Sequence, residues 1–287
     1  MMISFVVIPA GIALAASIVC WRIDHPSKPS VTSASMLPRR LSSTILACAW
    51  WFTVVLSVFA ADKPMLWSED AWPKMIWPML ASVLLVAPHW NAKLLHSPAM
   101  WIVFGWIAII AAILAMPIGE AWADTQPLHQ PWIAAILIAA NFNAVAVHRM
   151  AQRGAQRWLP FAILAGLVCA AFVGASSYRA LFETCLGAIV VTAMFAMFAA
   201  SGWLPAGPAI LFPSALFSST MIAAGRFYSY DEVPAFAYGL ALFAPGLVAL
   251  ADGLVANKSI AIRVGLTTFA GLSLVCATAF LFLVSRP

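Results

Sequence analysis

The chain has 287 residues, of which 64% are hydrophobic and only 9% charged, and its formal net charge is +5. A soluble domain carries about 25% charged residues, so a water-facing surface is excluded and lipid is the solvent that fits. Nucleic acid is excluded as a partner as well, because the Lys and Arg residues are scattered through short loops and form no continuous patch.

Apolar runs near the length needed to cross a bilayer recur along the chain. They predict ten spans, at 2–21, 41–61, 72–90, 99–118, 131–147, 158–176, 181–200, 204–224, 235–254 and 260–284. The predicted fold class is therefore an all-α, polytopic integral membrane protein. It forms one transmembrane domain over 1–287, with halves 1–150 and 151–287.

The first run lacks the basic n-region of a signal peptide. MMISF is uncharged, and Arg22, Lys28, Arg39 and Arg40 follow the run. It reads as a retained first helix with its N-terminus outside. Proline and serine dominate 22–40, RIDHPSKPSVTSASMLPRR, which predicts a flexible inner linker. The third span is short, with a charge-free core only from 75 to 88. Asn141 and Asn143 in the fifth span point to different sides of a helix. They suit interhelical hydrogen bonding or coordination of a solute. The loop that follows places Arg149, Arg153 and Arg157 at four-residue spacing, one basic face on a helix. It reads as a topology anchor beside anionic headgroups. In the seventh span Glu183 lies four residues after Arg179, the spacing of a local ion pair.

The eighth span stands out. Pro205, Pro208 and Pro213 interrupt LPAGPAILFPSALFSSTMIAAG, and Ser214, Ser218, Ser219 and Thr220 follow. Each interior proline removes a helical hydrogen bond, and in hydrocarbon the freed carbonyls need neighbouring helices, hydroxyls or water. This span is expected to be irregular near Pro213 and to face a cavity, with Ser214 and Ser218 on one face. The ninth span carries Pro245 in its middle, and Asp252 near its inner end, where interfacial solvation is expected.

Lys and Arg favour the cytoplasmic side. With both termini outside (N-out/C-out), ten of the 15 basic residues fall inside, while Asp62, Glu69, Asp70, Glu120, Asp124, Asp231 and Glu232 fall outside. Ten spans divide into five and five, and an odd number makes the second set run opposite to the first. That is the layout of an inverted repeat, and it pairs the proline-bearing third and fourth spans with the eighth and ninth. Most tryptophans sit near span ends as an aromatic belt, whereas Trp50, Trp51 and Trp106 lie nearer mid-span and read as packing residues. The five cysteines, in no CxxC spacing, read as small buried hydrophobes. His89, His96 and His148 gather near the inner face, where two could ligate a haem. Histidines without metal are the ordinary reading, and the cofactor is left unknown.

Enzyme motifs such as HExxH, GxSxG and the P-loop are missing from the chain. The reading that results is a secondary transporter or permease for a small solute in the cell (cytoplasmic or inner) membrane. Its site is expected at Ser214 and Ser218, with Asn141 and Tyr238. An outer vestibule is expected from Tyr178, Arg179, Glu183, Arg226, Tyr230 and Asp231. The alternative is a non-catalytic membrane subunit of a larger complex, with other membrane subunits or a second copy as partners besides the lipid bilayer.

Overall fold

A computed structural model describes residues 2–24, 36–62, 72–86, 97–117, 120–203, 207–229 and 233–284. They form ten α-helices: α1 (Met2–Asp24), α2 (Met36–Asp62), α3 (Ile76–Val86), α4 (Pro98–Ala115), α5 (Gln126–Gln152), α6 (Leu159–Ser177), α7 (Arg179–Ala200), α8 (Gly207–Phe227), α9 (Ala235–Leu254) and α10 (Ile260–Val284). Short 3-10 turns, Trp72–Met75 and Glu120–Thr125, lead into α3 and α5. No strand occurs among the described residues.

Local chemistry sets the ends. Prolines open α4, α5 and α6, where the missing N–H has no helical partner to lose. Pro117 follows the end of α4, as expected where proline disfavours helical backbone in the residue before it. The predicted linker at 22–40 is shortened from both sides, because α1 runs to Asp24 and α2 starts at Met36. Its remainder, 25–35, lies outside the described residues. The fifth span is longer than expected, since α5 starts at Gln126 and passes through Pro131.

Nine of the described helices are long and apolar enough to cross a membrane. The exception is α3, with 11 residues, or about 16 Å of helix. Residues 87–96, which would complete the third span, are not among those described.

The packing has one axis. α8 packs against α2, α3, α4, α5, α6, α7 and α9, and every residue from Ile210 to Gly225 is buried. α6 is the second hub, packing on α7, α8, α9 and α10. α1 leans on α2 and α7, and α10 on α9 and α6, so these two flank the bundle. Their outward faces carry Val7, Ile8, Leu14 and Val19 on α1, and Ile262, Phe269, Leu272 and Phe280 on α10, all exposed. α4 likewise presents Ile102, Trp106 and Ile110. Large exposed apolar side chains around a mainly apolar core that also buries Ser, Thr and Asn143 are the pattern of a protein whose solvent is hydrocarbon.

The inward face of α10 shows how periodicity sorts residues. Arg263, Thr267, Thr278 and Phe282 are buried, and Gly271 lies against Val248 and Ala165. Steps of four and seven place these side chains on one stripe of a helix.

Candidate functional site

The expected break in the eighth span does not occur. α8 is helical from Gly207 to Phe227, with Pro213 inside it. Pro208 is the second residue of the helix and interrupts nothing, and Pro205 lies outside the described residues. Only Pro213 therefore removes an interior bond, the one its N–H would have made to the Ala209 carbonyl. The neighbouring hydroxyls do not turn to that carbonyl. Ser214 Oγ donates to Leu211 O at 3.0 Å and Ser218 Oγ to Ala215 O at 3.3 Å. Thr220 Oγ1 reaches the carbonyls of Leu216 and Phe217 at 2.9 and 3.0 Å. These i−3 and i−4 bonds let hydroxyls sit in an apolar core at little cost.

A small cavity opens beside Ser214 and Ser218. Asn143 of α5 and Pro245 of α9 share its lining, with Val147, Ile163 and Leu211 as apolar wall. Its volume is about 10 Å³, room for about one water. Both serine protons are committed to backbone, so their oxygens remain as acceptors toward the cavity.

Asn143 is fully buried and makes the most specific contact in the core. Its Nδ2 donates to Leu242 O at 2.8 Å, and its Oδ1 accepts from Gly246 N at 2.9 Å. Leu242 O and Gly246 N are an i, i+4 pair, the acceptor and donor of a single helical rung. The side-chain amide of α5 thus clips onto one rung of α9, directly after the rung that Pro245 deletes. Small residues make room for this. A Cβ on Gly246 would collide with the Phe142 ring and come within 2.8 Å of Asn143 Oδ1. A Cβ on Gly166 of α6 would collide with the Pro245 ring.

The two ends of the bundle differ in chemistry. At one, Asp252 is buried rather than solvated as expected. Arg263 grips it with two bonds, Nε to Oδ1 at 2.7 Å and Nη2 to Oδ2 at 2.6 Å. Trp158 Nε1 adds a third at 3.1 Å. The guanidinium also donates to Arg153 O at 3.0 Å and lies 5.2 Å from the Trp158 ring centroid. Three donors thus meet this carboxylate, two at Oδ1 and one at Oδ2, which is how a buried charge is tolerated.

At the opposite end the tyrosines assemble. Tyr178 stacks on Tyr228 with centroids 6.1 Å apart, and Trp122 meets Tyr228 edge-on at 5.4 Å. Tyr238 is fully buried, edge-on to Trp132 and Phe282, with the Arg226 guanidinium 5.6 Å from its centroid. Glu183 takes the expected bond from Arg179 at 2.7 Å. Tyr178, Arg179, Glu183 and Arg226 therefore share one end, while Tyr230 and Asp231 are outside the described residues.

Of the expected solute site, Ser214 and Ser218 line the cavity. Asn141 bonds to Leu137 O of its own helix at 2.8 Å, and Tyr238 lies among the aromatic side chains; neither is part of the lining. The residues that sequence reasoning weighed too lightly are Asn143 and the Pro245–Gly246 pair that receives it. A proline followed by glycine in mid-span was the available signal.

Trp50 and Trp51 pack within the protein, donating to Thr192 Oγ1 at 2.9 Å and Ile76 O at 3.0 Å, whereas Trp106 is exposed on the outer face. Cys20, Cys169 and Cys185 are buried, but Cys48 and Cys276 are exposed. His148 contacts Gln152 and the Trp101 ring, and His89 and His96 lie outside the described residues. Among the described residues no cluster of His, Cys, Asp or Glu could hold a metal.

These features define the class: a helical, multi-pass membrane protein with a polar seam at its centre. No family model, curated protein or solved structure matches the chain.

Proposed function

We propose that the chain is a membrane transporter or permease for a small, uncharged solute, and that the solute passes the cavity beside Ser214, Ser218 and Asn143. One observation carries this reading. The most enclosed helix of the bundle is also the one that combines an interior proline with a run of hydroxyls, and it meets the proline of α9 at a cavity. In membrane proteins, polar groups at the midplane between proline-bearing helices mark solute pathways. Hydrogen-bonding groups without charge suit a neutral molecule. Tyr178, Arg179, Glu183 and Arg226 form the mouth of the pathway at one end, with both termini on that side, as the Lys and Arg bias favours. Opposed halves of five helices would give the two access states.

The test is stopped-flow light scattering on proteoliposomes challenged with glycerol, urea and other small neutral solutes. At least one solute should cross faster than through empty liposomes, and Ser214→Leu and Ser218→Leu should each remove that flux by filling the cavity. Unchanged flux in both folded variants would overturn the reading. Absence of any flux, with tight co-purification of other membrane chains, would replace it with a subunit of a larger complex.

A further inference from the structure

We infer that the bundle end where α1, α6 and α7 meet binds one anionic phospholipid, its phosphate on Arg157 and its acyl chains against α1 and α7. This is a lipid site separate from the proposed solute pathway, and it stands whether or not a solute is carried.

The three arginines expected on one helical face are in fact separated. α5 ends at Gln152, and Gly154, with a φ of 82°, turns the chain, so no single helix joins Arg149, Arg153 and Arg157. Arg153 turns toward α9, where its guanidinium occupies the space a Cβ on Gly253 would need. Arg157 turns the other way, to the end of α7. Its Nη2 lies 3.5 Å from where a Cβ on Gly202 would stand.

Gly202 has a φ of 81°, a conformation that glycine adopts without strain. Its N–H bonds to Ala199 O and that of Trp203 to Phe198 O, both at 3.0 Å, which closes α7 in a Schellman turn. The turn folds Trp203 back onto the Phe198 ring, stacked at 5.8 Å, and against Trp21 of α1 at 6.1 Å. Both tryptophans remain open to the surroundings, at 41% and 50% exposure. Indoles of this kind settle at the level of lipid headgroups.

Apolar stripes lead from the bilayer interior to this pair. On α1, exposed Leu14 and Ile18 precede Trp21 in steps of four and three. On α7, half-buried Met194 and Phe198 lead to Trp203. From the end of the bundle inward the order is guanidinium, indole, aliphatic surface. A phospholipid presents the matching order of phosphate, glycerol and acyl chain. Charge selects among phospholipids. Arg22, directly after Trp21, is exposed as well. Among the described residues Arg157 has no ion pair, and Asp252 at this end is already held by Arg263. Cations left without carboxylates favour a lipid with net negative charge, and the planar fork of arginine fits phosphate oxygens.

Native mass spectrometry of the detergent-solubilised protein tests this. The protein is titrated with phosphatidylglycerol and with phosphatidylcholine of the same acyl chains. One phosphatidylglycerol should bind in preference to phosphatidylcholine. Arg157→Gln should weaken that binding by about tenfold or more, the worth of a lost charge-assisted hydrogen bond. Arg149→Gln removes the same charge from α5 and should leave the affinity unchanged. Soluble glycerol 3-phosphate, which lacks acyl chains, should not displace the lipid at matching concentration. Thermal unfolding without added lipid checks that each variant is folded, and Trp203→Ala, which should weaken binding of the lipid, serves if Arg157→Gln is not. Equal binding of the two lipids, equal losses in Arg157→Gln and Arg149→Gln, displacement by glycerol 3-phosphate, or full affinity in folded Trp203→Ala would overturn the site.

Discussion

α8 and α10 are both apolar enough to cross a bilayer, yet 94% of the apolar window of α8 is buried against 17% of that of α10. The more hydrophobic of the two is α10, and it lies outside. In water the order would be reversed. In lipid an apolar face gains little by leaving the solvent, so position is decided by polar groups and close packing. α8 carries Ser214, Ser218, Ser219 and Thr220, and it occupies the axis. α10 is tied to the bundle through its one buried stripe, with Arg263 at one end and Thr278 and Phe282 at the other.

That contrast can be broken most sharply at the tie itself. Arg263→Ala leaves the Asp252 carboxylate buried without its cation, and loss of one partner of a buried pair costs about 3–5 kcal/mol. Unfolding of the detergent-solubilised protein, followed by thermal or denaturant titration, should show a loss of this size. Replacing both partners with apolar residues, as in Asp252→Leu with Arg263→Met, should recover much of it. Failure to recover would mean that the pair does more than neutralise itself.

A smaller effect separates the crowded core from the open flank by adding one methyl group. Gly246→Ala drives a Cβ into Phe142, and overpacking of this kind costs about 1–3 kcal/mol. At Gly265 of α10 no atom lies within 4 Å of a built Cβ. Gly265→Ala is therefore expected to stabilise by about 0.4–1 kcal/mol through the entropy of the unfolded chain. The same unfolding titration reads both. Equal effects at the two sites would show that α10 packs as tightly as α9.

The smallest effect belongs to the outer face. Phe269 is 69% exposed, and Phe269→Leu exchanges one apolar group for another against lipid. A change within about 0.5 kcal/mol is expected. A larger loss would show that something other than lipid covers this face, and would favour a partner chain over a lone transporter.

Much of the fold was legible along the chain because hydrocarbon imposes a simple rule. A segment that crosses must be helical, long and apolar. That rule placed α9 at 235–254 and α10 at 260–284, where the structure has them. It failed where the chain departs from the simple case. Met36–Arg40 is helical although Pro38, Arg39 and Arg40 read as linker, because a helix can project past the apolar zone. α3 has only 11 described residues, so hydropathy alone left its extent open.

The site was legible in part, and the division has a physical reason. Ser214 and Ser218 could be found because their spacing beside Pro213 is a local property of one helix. The remainder depends on which helices touch. Asn141 and Asn143 are two residues apart and look equivalent in sequence, yet one bonds to its own helix and the other bridges a rung of α9. Nothing local distinguishes them; the difference is the position of Pro245 across the interface. Asp252 likewise reads as a solvated helix end until Arg263 and Trp158 are brought against it from separate segments. Sequence determined which segments can live in lipid, since that depends on each segment's own transfer free energy. Only tertiary packing decided which polar groups meet, since in hydrocarbon each one needs a particular partner, and that partner lies far away along the chain.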